Sequence, residues 1–398
     1  MTLRATLLLL SLCTTLLHVA CDRNPQEPIF EPDPFIHPYD TLPDRTTEWR
    51  ETHGSDPGNV VYDADDADDG SIIVAGTATL HDSSTDYYLL KLDAEGDRVW
   101  ERSFGGSGDQ SAHAVVATPD GGAVMAGYEG SGSARLSVVA VNDRGDVMWD
   151  TVYRNPKIYR VPWAMAPTPD GGFVITGKRQ TTGKSDALAM KIDASGGIVW
   201  EKGVGGTSQE IGYAVAVADD GSIAIAADVS SISLAGSFGG HTVTLLDPAG
   251  AVAHEWTIVR RELSDRSVAL TAIGNDFLSA DIILDSERDE GMRIRRFDRA
   301  GREIWSVTHP FPFSYSDAIS LLPEPSGIVT VACTYSPFLE FDQTGAVTGS
   351  YQASGWFADG LAVDAVRAAD GGFFAFANSD TPHIGTDSEI VVVKVAAR

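Results

Sequence analysis

The nine histidines stand at 18, 37, 53, 81, 113, 241, 254, 309 and 383, so no local pair has the spacing of two metal ligands on one element. The chain has no H-E-x-x-H, C-x-x-C, G-x-S-x-G or G-x-x-x-x-G-K-[ST]. That removes the common motifs of zinc hydrolysis, dithiol redox chemistry, serine acyl transfer and phosphate cradling. The glycine-rich segments Phe104-Gly105-Gly106-Ser107-Gly108 and Val204-Gly205-Gly206-Thr207 recur at matching places, which makes them structural turns. The run Asp63-Ala64-Asp65-Asp66-Ala67-Asp68-Asp69-Gly70 has the acid density of a calcium loop but not its spacing. With Gly70 as the sixth position, Ala67 takes the third, and Val74 lies near the place of the bidentate acid. A solvated acidic hairpin is expected there. Single acids recur at Asp109, Glu210, Asp265, Asp317 and Asp359, each just before a strand-like run. They would either accept local backbone N–H bonds or gather into a carboxylate ring around a cation. No catalytic residue, metal or cofactor is assigned.

Aromatic and basic residues cluster in a different way. Tyr159, Arg160, Trp163, Arg260, Arg261, Phe311, Phe313, Tyr315, Trp356 and Phe357 fall in or beside the irregular connections between strand-like runs. Aromatics with Arg are the side chains enriched at the centres of protein interfaces. These ten residues are therefore the candidate binding face. Acids outnumber bases 56 to 29, a formal charge of −27, which is the wrong sign for holding a nucleic-acid backbone.

The first 20 residues carry one charge, Arg4, and an apolar run around Leu7–Leu10, then end Leu17-His18-Val19-Ala20-Cys21. The apolar stretch is too short for a membrane span and reads as an export signal. Small residues ahead of Cys21 resemble a bacterial lipoprotein processing site, which implies cleavage before Cys21 and lipid on its sulfur. Each buried CH₂ of such lipid contributes about 0.8 kcal/mol of membrane attachment. Residues 21–45 then form a tether with prolines at 25, 28, 32, 34, 38 and 43, a spacing that favours extended polyproline II. Cys333, in the run Ile328–Cys333, is left as the sole thiol of the mature chain, so an intrachain disulfide is excluded; it is expected to pack as a small hydrophobe.

From residue 46 the sequence repeats at about 50 residues. One marker is an aromatic: Trp49, Trp100, Trp149, Trp200, Trp256, Trp305 and Tyr351. A second is a turn of the Asp-Gly kind, as at Asp120-Gly121 and Asp170-Gly171. A third is [D/N]-x-x-G, from Asp93–Gly96 to Asp342–Gly345. Asp-Gly between apolar alternations supplies the positive φ of a hairpin. In [D/N]-x-x-G the side-chain oxygen accepts from turn N–H groups and Gly takes the left-handed exit. β-branched runs such as Phe173–Thr176 lie between the turns, and no long 3.6-residue period occurs. Each unit therefore gives four strands, A to D. The fold expected is all-β: a seven-bladed β-propeller of four-stranded antiparallel blades over 46–398. The last unit stops after its third strand, while Thr46–Glu51 is a spare fourth strand. The N-terminal strand is expected to complete the last blade and close the ring. Extra residues at Ser230–Phe238 read as a longer B–C loop on the variable face.

The segment Leu92-Asp93-Ala94-Glu95-Gly96-Asp97-Arg98-Val99-Trp100 resembles the aspartate–glycine–tryptophan repeats of quinoprotein-dehydrogenase-like propellers and of secreted bacterial propeller-repeat proteins. The resemblance implies the propeller fold and an exported location. Quinoprotein enzymes carry eight blades, a quinone pocket and a calcium site. Seven units without vicinal cysteines do not extend the resemblance to their activity. The function expected is a non-enzymatic binding or scaffold module, a monomer held at the membrane through Cys21, in the periplasm or at the cell surface. Its partner would be a protein or a glycan. The alternatives are a hydrolase or lyase acting at the channel mouth, or a subunit of an envelope assembly complex.

Overall fold

Short β-branched runs punctuated by glycine turns can bury both faces only by stacking sheet against sheet. In the computed structural model the described residues are 47–396, less 55–57, 83, 131–134, 207–208, 234–235, 261–267, 285–289, 311–317, 324–328, 334–337, 352–359 and 380–388. The leader, Cys21 and the tether lie outside them. β1 (Thr47–His53) precedes blade 1, made of β2 (Asn59–Asp66), β3 (Ile72–Thr79), β4 (Thr85–Leu92) and β5 (Arg98–Phe104). Blade 2 holds β6 (Gln110–Ala117), β7 (Ala123–Glu129), β8 (Arg135–Val141) and β9 (Val147–Val152). Blade 3 holds β10 (Tyr159–Pro167), β11 (Phe173–Thr181), β12 (Lys184–Ile192) and β13 (Ile198–Val204). Blade 4 holds β14 (Gln209–Val217), β15 (Ile223–Ser233), β16 (Gly236–Leu246) and β17 (Val252–Arg260). Blade 5 holds β18 (Val268–Ile273), β19 (Asp276–Leu284), β20 (Glu290–Asp298) and β21 (Glu303–Pro310). β22 (Ala318–Pro323), β23 (Val329–Cys333), β24 (Phe338–Phe341) and β25 (Val347–Tyr351) form blade 6. β26 (Gly360–Arg367), β27 (Phe373–Ser379) and β28 (Glu389–Val395) pair with β1 as the last four-stranded sheet, in the order β1-β28-β27-β26.

Every strand pair is antiparallel, and each first strand lies against the first strand of the next blade, with β26 returning to β2. The ring closes through two polar bridges as well as β1. The Asn378 amide accepts from the Val61 N–H at 2.8 Å and donates to the Val61 carbonyl at 3.0 Å. Lys394 on β28 reaches Glu48 of β1 at 3.3 Å and Asp370 at 2.8 Å.

The even sevenfold ring expected from the repeat needs correction. Among the described residues six hydrophobic clusters fill the seams between neighbouring blades. Blade 6 is reduced, with β23, β24 and β25 only five, four and five residues long. The Ser230–Phe238 insertion is taken up largely by the strands: β15 and β16, each 11 residues long, stay paired as far as Ser233 opposite Gly236.

The co-occurrence of Trp and [D/N]-x-x-G has a physical cause. Trp100 lies over the turn of the next blade, its indole N–H donating to the Asp143 carbonyl at 2.9 Å. A Cβ at Gly145, where φ is +79°, would come within 3.2 Å of the Trp100 ring. Trp149 covers Gly196, Trp200 covers Gly250, and Trp305 covers Gly345 in the same way. In blade 4 the residue over the next turn is His254, against Gly301. Trp256, read as the marker of that unit, instead packs edge-on to Phe297 inside the seam, centroids 4.9 Å apart.

Candidate binding site at the channel mouth

Strand A of six blades carries one extra residue, a β-bulge. The ladder skips Tyr62 in β2, His113 in β6, Trp163 in β10, Tyr213 in β14, Ile319 in β22 and Val363 in β26. A bulge re-aims its side chain, and strand A is the strand that lines the axis. In blades 1 to 4 the bulged residue is aromatic. The four rings form a continuous arc. Tyr62 stacks on His113 at 4.5 Å, the edge of Trp163 meets His113 at 4.7 Å, and Trp163 meets Tyr213 at 5.8 Å. Tyr128, near the end of β7, also stacks on His113, at 5.3 Å. His113 is buried and its Nε2 lies 3.1 Å from the Ser111 hydroxyl, itself 2.7 Å from the Thr77 hydroxyl. The rim is open: Tyr62 and Tyr159 keep 38% and 36% of their surface.

In blades 1 to 3 the bulge comes with close approach by strand B, and the sequence answers with Gly76, Gly127 and Gly177. A Cβ on Gly76 would overlap the Val60 carbonyl, and one on Gly177 would overlap that of Val161.

The residue after the bulge divides the channel into two walls. It is Ser320, Asp364 and Asp63 in blades 6, 7 and 1, but Ala114, Ala164 and Ala214 in blades 2 to 4. The polar ones bridge to the next blade. Asp364 accepts from the Ala64 N–H at 2.9 Å, and Asp63 from the Val115 N–H at 2.7 Å. Ser320 donates to Asp364 at 2.5 Å. Asp65 accepts from the Ala117 N–H at 2.9 Å. The acidic hairpin expected at 63–70 is thus corrected: Asp63 and Asp65 turn inward and stitch blades together. Burial, then the Asp364 charge, raises the Asp63 carboxyl well above the usual range. Burial also raises Asp364, and it pushes Asp65 up to about 7. Two carboxyls sharing a proton resemble an acid–base dyad. Here their oxygens are taken by backbone N–H groups and a hydroxyl, a structural use.

The residues singled out from sequence are distributed as follows. Tyr159 is exposed at the start of β10. Arg160 is buried, its guanidinium bidentate on Glu201 at 2.9 and 2.7 Å. Burial alone would raise the Glu201 carboxyl, but Arg160 and Arg179 hold it below the usual range. Trp163 sits inside the channel, in the arc. Arg260 ends β17, its backbone opposite Gly239. Arg261, Phe311, Phe313, Tyr315, Trp356 and Phe357 lie outside the described residues. Of the five recurrent acids, Glu210 is buried and accepts from the Gly206 N–H at 3.0 Å, the local backbone role. Asp109 is half-buried, and Asp265, Asp317 and Asp359 lie outside the described residues. Among the described residues no group of three His, Cys, Asp or Glu could hold a metal ion. Tyr62, His113 and Tyr213 were not singled out, although glycines opposite the bulges, Gly76 and Gly127, mark where the first two stand.

Radial four-stranded blades around an axis, with side chains presented into its channel, define a β-propeller. No family model matches the chain, and no curated protein matches it. Solved structures similar to it include YCF48 bound to D1 peptide, at TM-score 0.52 and 10% identity, over 90% of this chain and 100% of that one. Another is the WD40 domain of coronin from Toxoplasma gondii, at TM-score 0.52 and 8% identity, over 90% of this chain and 88% of that one. At these identities the likeness lies in the fold.

Proposed function

We propose that this chain is a non-enzymatic binding module that takes a segment of a partner protein at the channel mouth beside the A strands of blades 1 to 4. The observation that carries the reading is the aromatic arc Tyr62–His113–Trp163–Tyr213. Four bulges spend ladder hydrogen bonds to place adjoining rings along one wall of an open channel, an arrangement that core packing alone does not require. YCF48 has been solved with a D1 peptide bound, so the architecture is compatible with a peptide site. The export signal and Cys21 support the further proposal of an exported bacterial lipoprotein whose 21–45 tether holds the propeller off the membrane.

The test is photo-crosslinking from the channel mouth in membranes of cells expressing the full chain. A discrete adduct from the wild type, weakened at least fivefold by Tyr62→Ala or Tyr159→Ala with an unchanged melting temperature, supports the proposal. Equal yield from wild type and both variants would overturn it.

A further inference from the structure

Resting on that reading, we infer that the channel mouth recognises a basic side chain, Lys or Arg, on an extended segment of the partner, stacked against the aromatic arc beside the acidic wall. The rings supply the first half of the recognition. A cation is attracted to an aromatic face within about 6 Å of its centre, and guanidinium groups also stack on it. Tyr62 and Tyr159 are open at the rim, and half-buried Trp163 and Tyr213 continue the arc inward.

Charge supplies the second half. Asp63 follows Tyr62 directly in β2 and Asp364 accepts from the Ala64 N–H, so the pair stands on the strand that carries the first ring of the arc; sharing one proton, it leaves one negative charge there. Their hydrogen bonds go to backbone N–H groups and the Ser320 hydroxyl, and among the described residues neither forms an ion pair with a base. Arg367 acts instead on Asp66. Five bases around the rim of blades 2 and 3 are already matched. Arg160 and Arg179 hold Glu201, Lys184 holds Asp186, and Arg135 and Arg154 hold Glu129. Lys178 occupies the strand-B place from which Asn378 and Thr77 reach the next blade. It and Lys157, exposed two residues before Tyr159, are described bases that would compete with an incoming cation. The formal charge of −27 adds long-range attraction for a basic partner. A neutral glycan would stack on the same rings but would gain nothing from this field.

Fluorescence anisotropy tests the inference with a labelled Gly-Arg-Gly-Arg-Gly peptide and its citrulline counterpart, against the folded 21–398 chain. The arginine peptide should bind at least tenfold more tightly than the citrulline one. Tyr62→Leu and Tyr213→Leu, which keep apolar bulk but lose the π face, should each weaken it about fivefold. Lys178→Gln should tighten it. Glu95→Gln, on an exposed turn remote from the channel, should leave it unchanged. Equal binding of both peptides, or equal loss in Glu95→Gln and the tyrosine variants, would overturn the inference by reducing it to general charge attraction. So would displacement of the peptide by chitotetraose with no preference for charge, which would indicate a sugar site. A crosslinked partner lost in Tyr159→Ala but indifferent to charge would overturn the basic-side-chain inference alone and leave the binding-module proposal standing.

Discussion

Asp65→Asn should make the protein more stable at pH 8 and leave it unchanged near pH 4. Asp65 accepts the Ala117 N–H of the neighbouring blade, a role an Asn oxygen also fills. Burial pushes its pKa up to about 7 from an ordinary 3.8. The folded chain therefore binds this proton more tightly than the unfolded chain. The stability linked to it is complete below pH 3.8 and is lost as pH rises to about 7. A shift from 3.8 to about 7 sets a ceiling of about 4 kcal/mol. Water in the channel relaxes around the charge, so about 2 kcal/mol is the expected gain. For a domain of this size that is roughly 3 °C in melting temperature. The assay is thermal unfolding of wild type and variant from pH 4 to pH 8, read as the difference between them. Repulsion from the net charge of −27 also grows with pH, but it is nearly common to both proteins. Groups held low, such as Asp170 at about 2 beside Lys191, act below this window. A difference that stays flat with pH, or an Asn variant less stable at pH 8, would refute a buried carboxyl that prefers its proton.

Two further predictions concern how the ring is held. Deleting residues 46–52 removes most of β1 and exposes the edge of β28, so the melting temperature should fall and association through that edge should show in size-exclusion chromatography. An unchanged melting temperature would mean that β1 does not close the ring. Trp100→Ala should cost about 3–5 kcal/mol, because a buried indole and its bond to the Asp143 carbonyl are both lost. Gly145→Ala should cost about 1–2 kcal/mol from its positive φ and the contact with Trp100. The double variant should be less destabilised than the sum, since the new Cβ then meets a cavity. Strict additivity in denaturant unfolding would show that ring and turn are not coupled.

Turn chemistry is local, and that is why the repeat could be read from the chain. Asp93 satisfies the N–H groups of Glu95 and Asp97 from within its own turn, so its identity and spacing survive in every unit that uses it. Ring closure was legible for the same reason: a missing fourth strand at one end and a spare one at the other need only counting. Trp256 shows where counting misleads. Its spacing suggests the turn-covering role, but that role falls to His254, two residues earlier, and only the contact with Gly301 distinguishes them. The acids at 63 and 65 were misread because polarity was taken for exposure. What offsets their burial is the free N–H row on the inner edge of the next blade, about 50 residues away.

The candidate site was the least legible part, because a bulge is a property of two strands. Nothing local separates Tyr62 from an ordinary outward residue of β2. The distinguishing feature lies across the ladder, at Gly76, where any side chain would overlap the Val60 carbonyl that the bulge pushes forward. Gly127 faces the His113 bulge and Gly177 the Trp163 bulge in the same register. A glycine near the end of strand B thus predicts an aimed side chain on strand A, and in blades 1 to 3 that side chain is aromatic. The same irregularity weakens the ladder and arms the channel. That is why the binding wall and the glycines belong to one device, and why replacing Gly127 with Ala should disturb the His113 ring before it disturbs the blade.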